Sequence, residues 1–128
     1  MKVAGIGFRT GADMNALLAA YHAVGGTADA LATSAHKSKA QVISELARHL
    51  TLPLLFIEAD DLAQQTTLTQ SARQQAQFGT GSVSEAAALA AAGPHANLLG
   101  PRVKSPCGMA TAALAQAPHF AARKGSQT

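Results

Sequence analysis

Residues 2–26, KVAGIGFRTGADMNALLAAYHAVGG, hold the pattern that decides the fold. The apolar run KVAGIGF (2–8) ends at turn-like residues and reads as a buried strand. Arg9–Ala12 forms a loop. Asp13 then caps a helix whose Met14, Leu17, Leu18, Tyr21 and Val24 recur at helical spacing until Gly25–Gly26 stops it. A strand followed directly by a capped helix is a βα unit. Whether the chain repeats it decides between a parallel sheet and other arrangements.

The chain does repeat it. ALATSA (30–35) reads as a second strand, and Ser38 with Gln41 fits a capping box. Val42, Ile43, Leu46 and Leu50 give the next helix an apolar face, and Pro53 ends it. LPLLFI (52–57) is the clearest strand. Residues 58–77 are polar, with short helical turns expected near Asp60–Gln64 and Ser71–Phe78. FGTGSVSEAAALAAAG (78–93) leads into a helix over Ser82–Ala92, closed by Gly93–Pro94. NLLG (97–100) is a short strand, PRVKSP (101–106) a loop, and GMATAALA (108–115) a last strand of small residues. The alternation predicts an α/β fold, a three-layer α/β/α sandwich around a mostly parallel or mixed sheet of about five strands. Residues 1–117 make a single domain, and 118–128 a frayed polar tail.

Composition agrees. With 48% hydrophobic and 13% charged residues, the chain is globular. It has no Trp, one Tyr and four Phe, so alanine and leucine must fill the core, which favours helices packed close on a sheet. The net charge of +3 is mild, and no basic run interleaves with aromatics, which excludes nucleic acid as a partner and favours a small polyanion. A single cysteine excludes an internal disulfide. The opening MKVAGIGFR is too short and too soon charged for a signal peptide, and no apolar run approaches a membrane span, so the chain reads as soluble and cytoplasmic.

Sheets of this class bind ligands outside the carboxyl ends of their strands. Those ends are followed by Arg9, by His36 and Lys37, by Glu58, and by Arg102 and Lys104. Gly5 and Gly7 share one face of the first strand, where a missing side chain lets another group approach the backbone. Gly81, Ser82 and Ser84 stand at a helix start, which contributes free N–H groups and a positive dipole end. Gly5, Gly7, Arg9, Lys37, Gly81, Ser82, Ser84, Arg102 and Lys104 together describe a shallow cationic site for a ligand bearing carboxylates or phosphates. Each also has a plainer reading. Ser82 with Glu85 is a capping box, paired glycines relieve packing, and surface cations are solvated. Thr10 stands where a dinucleotide fingerprint needs glycine or alanine; there is neither a GxxxxGK nor a GxSxG sequence. The five histidines lack metal-ligand spacing, so no metal or other cofactor is expected, and Cys107 reads as a small buried hydrophobe.

GIGFRTG, Lys37, GTGSVSEAAALAAAG, and LLGPRVKS followed by MATAALA resemble, in order, the family formed by the C-terminal domain of CbiG and its stand-alone homologue CobE. The resemblance covers nearly the whole chain, and its motif positions match Gly5, Gly7, Arg9, Lys37, Gly81, Ser82, Glu85 and Lys104. The chain departs from the pattern at His36, at Arg102, where lysine is common, and at Pro106–Cys107. The resemblance implies a role in building the corrin ring of vitamin B12. CbiG opens a lactone on a cobalt-containing precorrin in the oxygen-independent route, and CobE belongs to the oxygen-dependent one. Precorrins carry acetate and propionate arms around a flat macrocycle, so cations at several strand ends could meet several arms at once.

Three readings stay open. The first is a cobalamin biosynthesis protein that binds a precorrin or corrinoid intermediate, to process it or to pass it to other corrin-pathway enzymes. The second is a hydrolase or isomerase acting on that ring, with Glu58 or Glu85 as acid or base. The third is a nucleotide-phosphate module using the helix start at Gly81–Ser84.

Overall fold

The computed structural model describes residues 1–37, 39–68, 70 and 82–117. Its axis is strand β1 (Lys2–Phe8), whose middle five residues are buried. Helix α1 (Met14–Ala23) follows, and Asp13 caps it by accepting the Ala16 N–H at 2.9 Å. Strand β2 (Ala30–Ser34) runs parallel to β1, and a short 3-10 turn (Ala35–Lys37) leaves its end. Helix α2 (Gln41–Leu50), strand β3 (Leu54–Ile57) and the short helix α3 (Ala59–Ala63) complete this half. Helix α4 (Val83–Ala92) precedes the strands β4 (Asn97–Leu98), β5 (Val103–Lys104) and β6 (Ala110–Gln116).

The sheet is ordered β3-β2-β1-β6-β4, with β5 also on β6. β1, β2 and β3 are mutually parallel, and β6 runs antiparallel to β1, β4 and β5. The sheet is thus mostly parallel with one reversed strand, in an α/β sandwich. The sixth strand is β5, which falls inside the expected loop 101–106. β4 and β5 lie along one edge of β6. Leu98 pairs Ala115 and Val103 pairs Ala112, so the edge spends two more residues than β6 between these pairs. That break holds Gly100, Pro101 and Arg102, where a proline without an N–H removes no ladder bond.

The two sheet faces are filled differently. α1 and α2 cover the face carrying Ile6, Leu31, Ala112 and Leu114, and contribute Leu17, Tyr21, Ile43 and Leu46. The opposite face carries Val3, Gly5 and Gly7 beside Thr111, Ala113 and Ala115 of β6 and Ala30 and Ala32 of β2. On β1, β2 and β6 nothing on this face is larger than valine, so α4, mostly alanine, can lie on the backbone itself, while Ile57 of β3 and Leu98 of β4 flank it. Residues Val83–Leu89 of α4 are all buried, and Leu62 of α3 packs with its Ala86 and Ala87. Gly5 marks the closest approach. A Cβ there would overlap the Ser84 carbonyl oxygen and lie 2.8 Å from the Ala88 nitrogen.

Two local expectations change. α2 starts at Gln41 behind Ala40, with no side-chain cap, so Gln41 cannot take the third helical position that a capping box with Ser38 requires. The turn expected near Asp60–Gln64 corresponds to α3. Ser38, the turn expected at Ser71–Phe78 and the tail 118–128 lie outside the described residues.

Gly5→Ala should destabilise the protein by about 3 kcal/mol or more, because both obstructing atoms are main chain and cannot rotate away. Gly7→Ala should cost less, since a Cβ there meets the Thr111 hydroxyl at 2.8 Å, a side chain that can turn. Chemical denaturation of both variants checks the order; equal losses would remove Gly5 from its special place. Burial raises the Tyr21 phenol, partly offset by a hydrogen bond with the Ala28 backbone. Its stabilising contribution is therefore full below the ordinary phenol value of about 10 and lost as pH rises through the folded value. As the sole tyrosine in a chain without tryptophan, Tyr21 should show its phenolate absorbance step at higher pH in the folded than in the denatured protein. Coincident steps would contradict this.

Candidate functional site

The strand ends converge as the topology requires. Phe8 of β1, Ser34 of β2, Ile57 of β3 and Lys104 of β5 all point to one edge of the sheet, and β6 begins there with Ala110 opposite Phe8. The Arg9 N–H donates to the Met109 carbonyl at 2.9 Å, which ties the end of β1 to the start of β6, and the Arg9 side chain is exposed. The Lys37 ammonium lies 4.9 Å from the centre of the Phe8 ring, a cation–π contact that holds it beside the same strand end. Lys104 pairs with Thr111, which pairs with Gly7, so Lys104 stands two strands from β1 on the α4 face. At ordinary inter-strand spacing that is roughly 10 Å. Arg9, Lys37 and Lys104 therefore share the carboxyl edge of the sheet.

The start of α4 arrives beside them. A Cβ on Gly7 would lie 3.7 Å from the Ser84 nitrogen, which puts the first turn of the helix over the end of β1. Ser82 and Ser84 are fully buried, with hydroxyl oxygens 3.4 Å apart, and Ser82 accepts the Glu85 N–H at 3.4 Å. The capping role of Ser82 is thus made. The Glu85 carboxylate, also fully buried, accepts the Arg102 N–H at 2.7 Å. Arg102 lies in the break between β4 and β5, ahead of Lys104 and half-buried. Gly5 sits deeper, where its bare Cα accommodates the Ser84 carbonyl. Gly81 lies outside the described residues.

Glu58 stands apart from Arg9 and Lys104 in the sheet order, though beside the turn that carries Lys37. It lines an open groove of about 600 Å³ between the ends of β2 and β3, with Ser34, Ala35, His36, Ala59, Asp60 and Ala63. Ser34 Oγ accepts the His36 N–H at 3.1 Å and shapes the turn that carries Lys37. The edge is thus acidic at β3 and basic at β1 and β5. Among the described residues, no three His, Cys, Asp or Glu side chains are grouped to hold a metal ion.

Cys107 corrects its expectation: it is exposed. β5 and β6 form a hairpin, closed by Ser105 N–H to the Ala110 carbonyl at 2.8 Å, and Cys107 lies in its loop on the carboxyl edge. A left-handed Gly108, φ +74°, lets that loop turn. The Ser105 hydroxyl, 3.4 Å from the Cys107 sulfur, favours the thiolate and holds the thiol below its ordinary value, with help from the Met109 backbone. Sequence reasoning missed Thr111 and Ser34. Their signal was available, as hydroxyls inside otherwise apolar strands near the carboxyl edge.

Native protein should give one reactive thiol with a disulfide reagent, and Cys107→Ala none. The pH midpoint of its alkylation should fall below that of a free cysteine peptide and rise in Ser105→Ala. A thiol that reacts only after unfolding would contradict the exposed loop.

Residues 2–115 match the family model described as cobalamin synthesis G C-terminus. Among solved structures, the chain is 33% identical to CobE, a protein from the cobalamin (vitamin B12) biosynthetic pathway. That match covers 90% of this chain and 92% of CobE, with a TM-score of 0.80. It is 36% identical to the cobalamin biosynthesis protein chiG from Agrobacterium tumefaciens str. C58, over 93% of this chain and 100% of chiG, with a TM-score of 0.71. No curated protein matches the chain.

Proposed function

The chain belongs to the cobalamin synthesis G C-terminus family, as a CobE-like protein of the cobalamin biosynthetic pathway, and from that premise we propose that it binds a polycarboxylated precorrin or corrinoid intermediate of the oxygen-dependent route. The observation that carries this reading is the shared edge of Arg9, Lys37 and Lys104. They are far apart in sequence, yet stand at the carboxyl ends of β1, β2 and β5 along one edge of the sheet, with β6 between β1 and β5. A ligand with carboxylates spaced around a flat ring is the kind of anion that three such cations meet together. Each contact is a charge-assisted hydrogen bond, stronger than a neutral one. The chain offers few aromatic rings to stack on the macrocycle, so the ligand lies across the edge and is gripped by its arms. The acidic groove at Glu58 and Asp60 repels those arms and biases the ligand toward β1 and β5.

Binding without turnover is the reading the site supports over a hydrolase or isomerase. Glu85 is buried against the Arg102 main chain, and Glu58 lies in the groove away from Lys104. The nucleotide-phosphate reading loses ground because Ser82 and Ser84, at the helix start, are fully buried. Corrin-pathway enzymes are the partners to which the intermediate would pass.

Titration with cobyrinic acid, whose arms are free carboxylates, tests the proposal. Arg9→Gln, Lys37→Gln and Lys104→Gln should each weaken binding by about 1–3 kcal/mol, the scale of a hydrogen bond to a charged group. Melting temperatures should barely move. Affinity should fall as salt rises, and an amidated corrinoid should bind less well than the acid. Bound ligand should slow alkylation of Cys107 in the neighbouring loop. Three variants that bind like the parent would place the ligand elsewhere, and release of product in excess over protein would restore the enzyme reading.

A further inference from the structure

We propose that Glu85 is a positioning residue whose carboxylate, by accepting the Arg102 N–H, holds the break between β4 and β5 in the shape that presents Arg102 and Lys104 to the carboxylate arms of a corrinoid. The role toward those arms rests on the corrinoid-binding reading above. The break is where the edge needs support. Between the pairs Leu98–Ala115 and Val103–Ala112, the ladder has no β6 partner for two extra residues, and the Arg102 N–H is directed to α4 instead. At 2.7 Å this bond is short, and its acceptor is a carboxylate.

Glu85 suits the task by its place in the sequence. It is the third residue of α4, after the Ser82 cap, where the helix dipole favours a negative charge. The backbone under it is fixed, because Ser84 rests on the bare Cα of Gly5. A fully buried carboxylate persists only when donors satisfy it, and the Arg102 N–H is one such donor. The rigid helix–sheet contact is thereby transmitted to an edge that would otherwise be loose. Arg102 follows Pro101 in that edge, and Lys104 comes two residues later, in register with Thr111 and Gly7. An acid or base must exchange its proton with the ligand. Glu85 instead gives a carboxylate oxygen to the Arg102 main chain, and through it to the placing of the two cations.

Glu85→Gln and Glu85→Met separate the possibilities, since glutamine keeps an acceptor oxygen and methionine matches the size without one. Amide exchange in ligand-free protein reads the hold directly. The Arg102 N–H should be protected in the parent and in Glu85→Gln, and exposed to exchange in Glu85→Met at unchanged global protection. With cobyrinic acid, Glu85→Met should bind at least about tenfold more weakly than the parent, and Glu85→Gln within about threefold. Lys104→Gln in the Glu85→Met background should add little, because the two changes remove one shared contribution. Unchanged Arg102 protection in Glu85→Met, losses that multiply with Lys104→Gln, or a Gln variant as weak as the Met one would overturn the proposal. If Glu85→Met does not fold, loss of Arg102 protection in Glu85→Gln alone would overturn it as well. A parent that ignores cobyrinic acid overturns the corrinoid reading and the presentation to its arms. Amide exchange then still decides whether Glu85 holds the break.

Discussion

The contact between the backbone of α4 and the bare Cα of Gly5 governs much of this structure. A helix normally stands off a sheet by the thickness of the side chains between them. Here the strands under the helix, β1, β2 and β6, offer it only glycine, alanine, serine, threonine and valine, and the helix is mostly alanine, so that layer is almost absent. The hydrophobic area buried per residue is small, and close fit has to compensate through dispersion contacts. The other face is conventional, with leucine, isoleucine and the one tyrosine between α1, α2 and the sheet. On the central strands the larger side chains are thus on the face that α1 and α2 cover.

The same contact fixes the chemistry at the edge. A helix held by main chain cannot shift by a rotamer change, so the position of Ser82, Ser84 and Glu85 is inherited from β1. Glu85 then reaches the neighbouring edge strand, while Arg9 and Lys37 are held at the end of β1 by the Met109 carbonyl and the Phe8 ring. Much of what lies at the edge is traceable to one strand. The polar parts are fixed at their roots, an arrangement that suits a ligand recognised by its periphery.

Much of this was legible in the sequence. The strand over 2–8, the Asp13 cap and the helix after Ser82 could be read because each has a local signal: an apolar run, a capping side chain, a glycine stop. The common edge of Arg9 and Lys37 could be read because a parallel sheet fixes which ends its strands share, whereas Lys104, expected in a loop after NLLG, lies in β5. Other features depend on partners distant in the chain. β5 is two residues long and exists through its pairing with β6, so VK inside PRVKSP gives no strand signal. Glu85 looked like half of a capping box, and its bond to Arg102 crosses 17 positions. The capping box at Ser38 failed for the opposite reason: a sequence signal was present, but the helix begins later. Cys107 was misjudged because the residue type favours burial, while a hairpin loop does not provide it.

The break between β4 and β5 also bears on how the protein avoids its own kind. A sheet edge is a row of unpaired donors and acceptors, and a second chain can extend the ladder if the edge is long and regular. Here the edge is cut into two pairs of residues with Leu99, Gly100, Pro101 and Arg102 between them. An incoming strand would find no continuous register to follow, a proline that cannot donate, and cations at Arg102 and Lys104 after it. The irregularity that carries two cations to the carboxyl edge therefore also guards this side of the sheet against growth into a fibre.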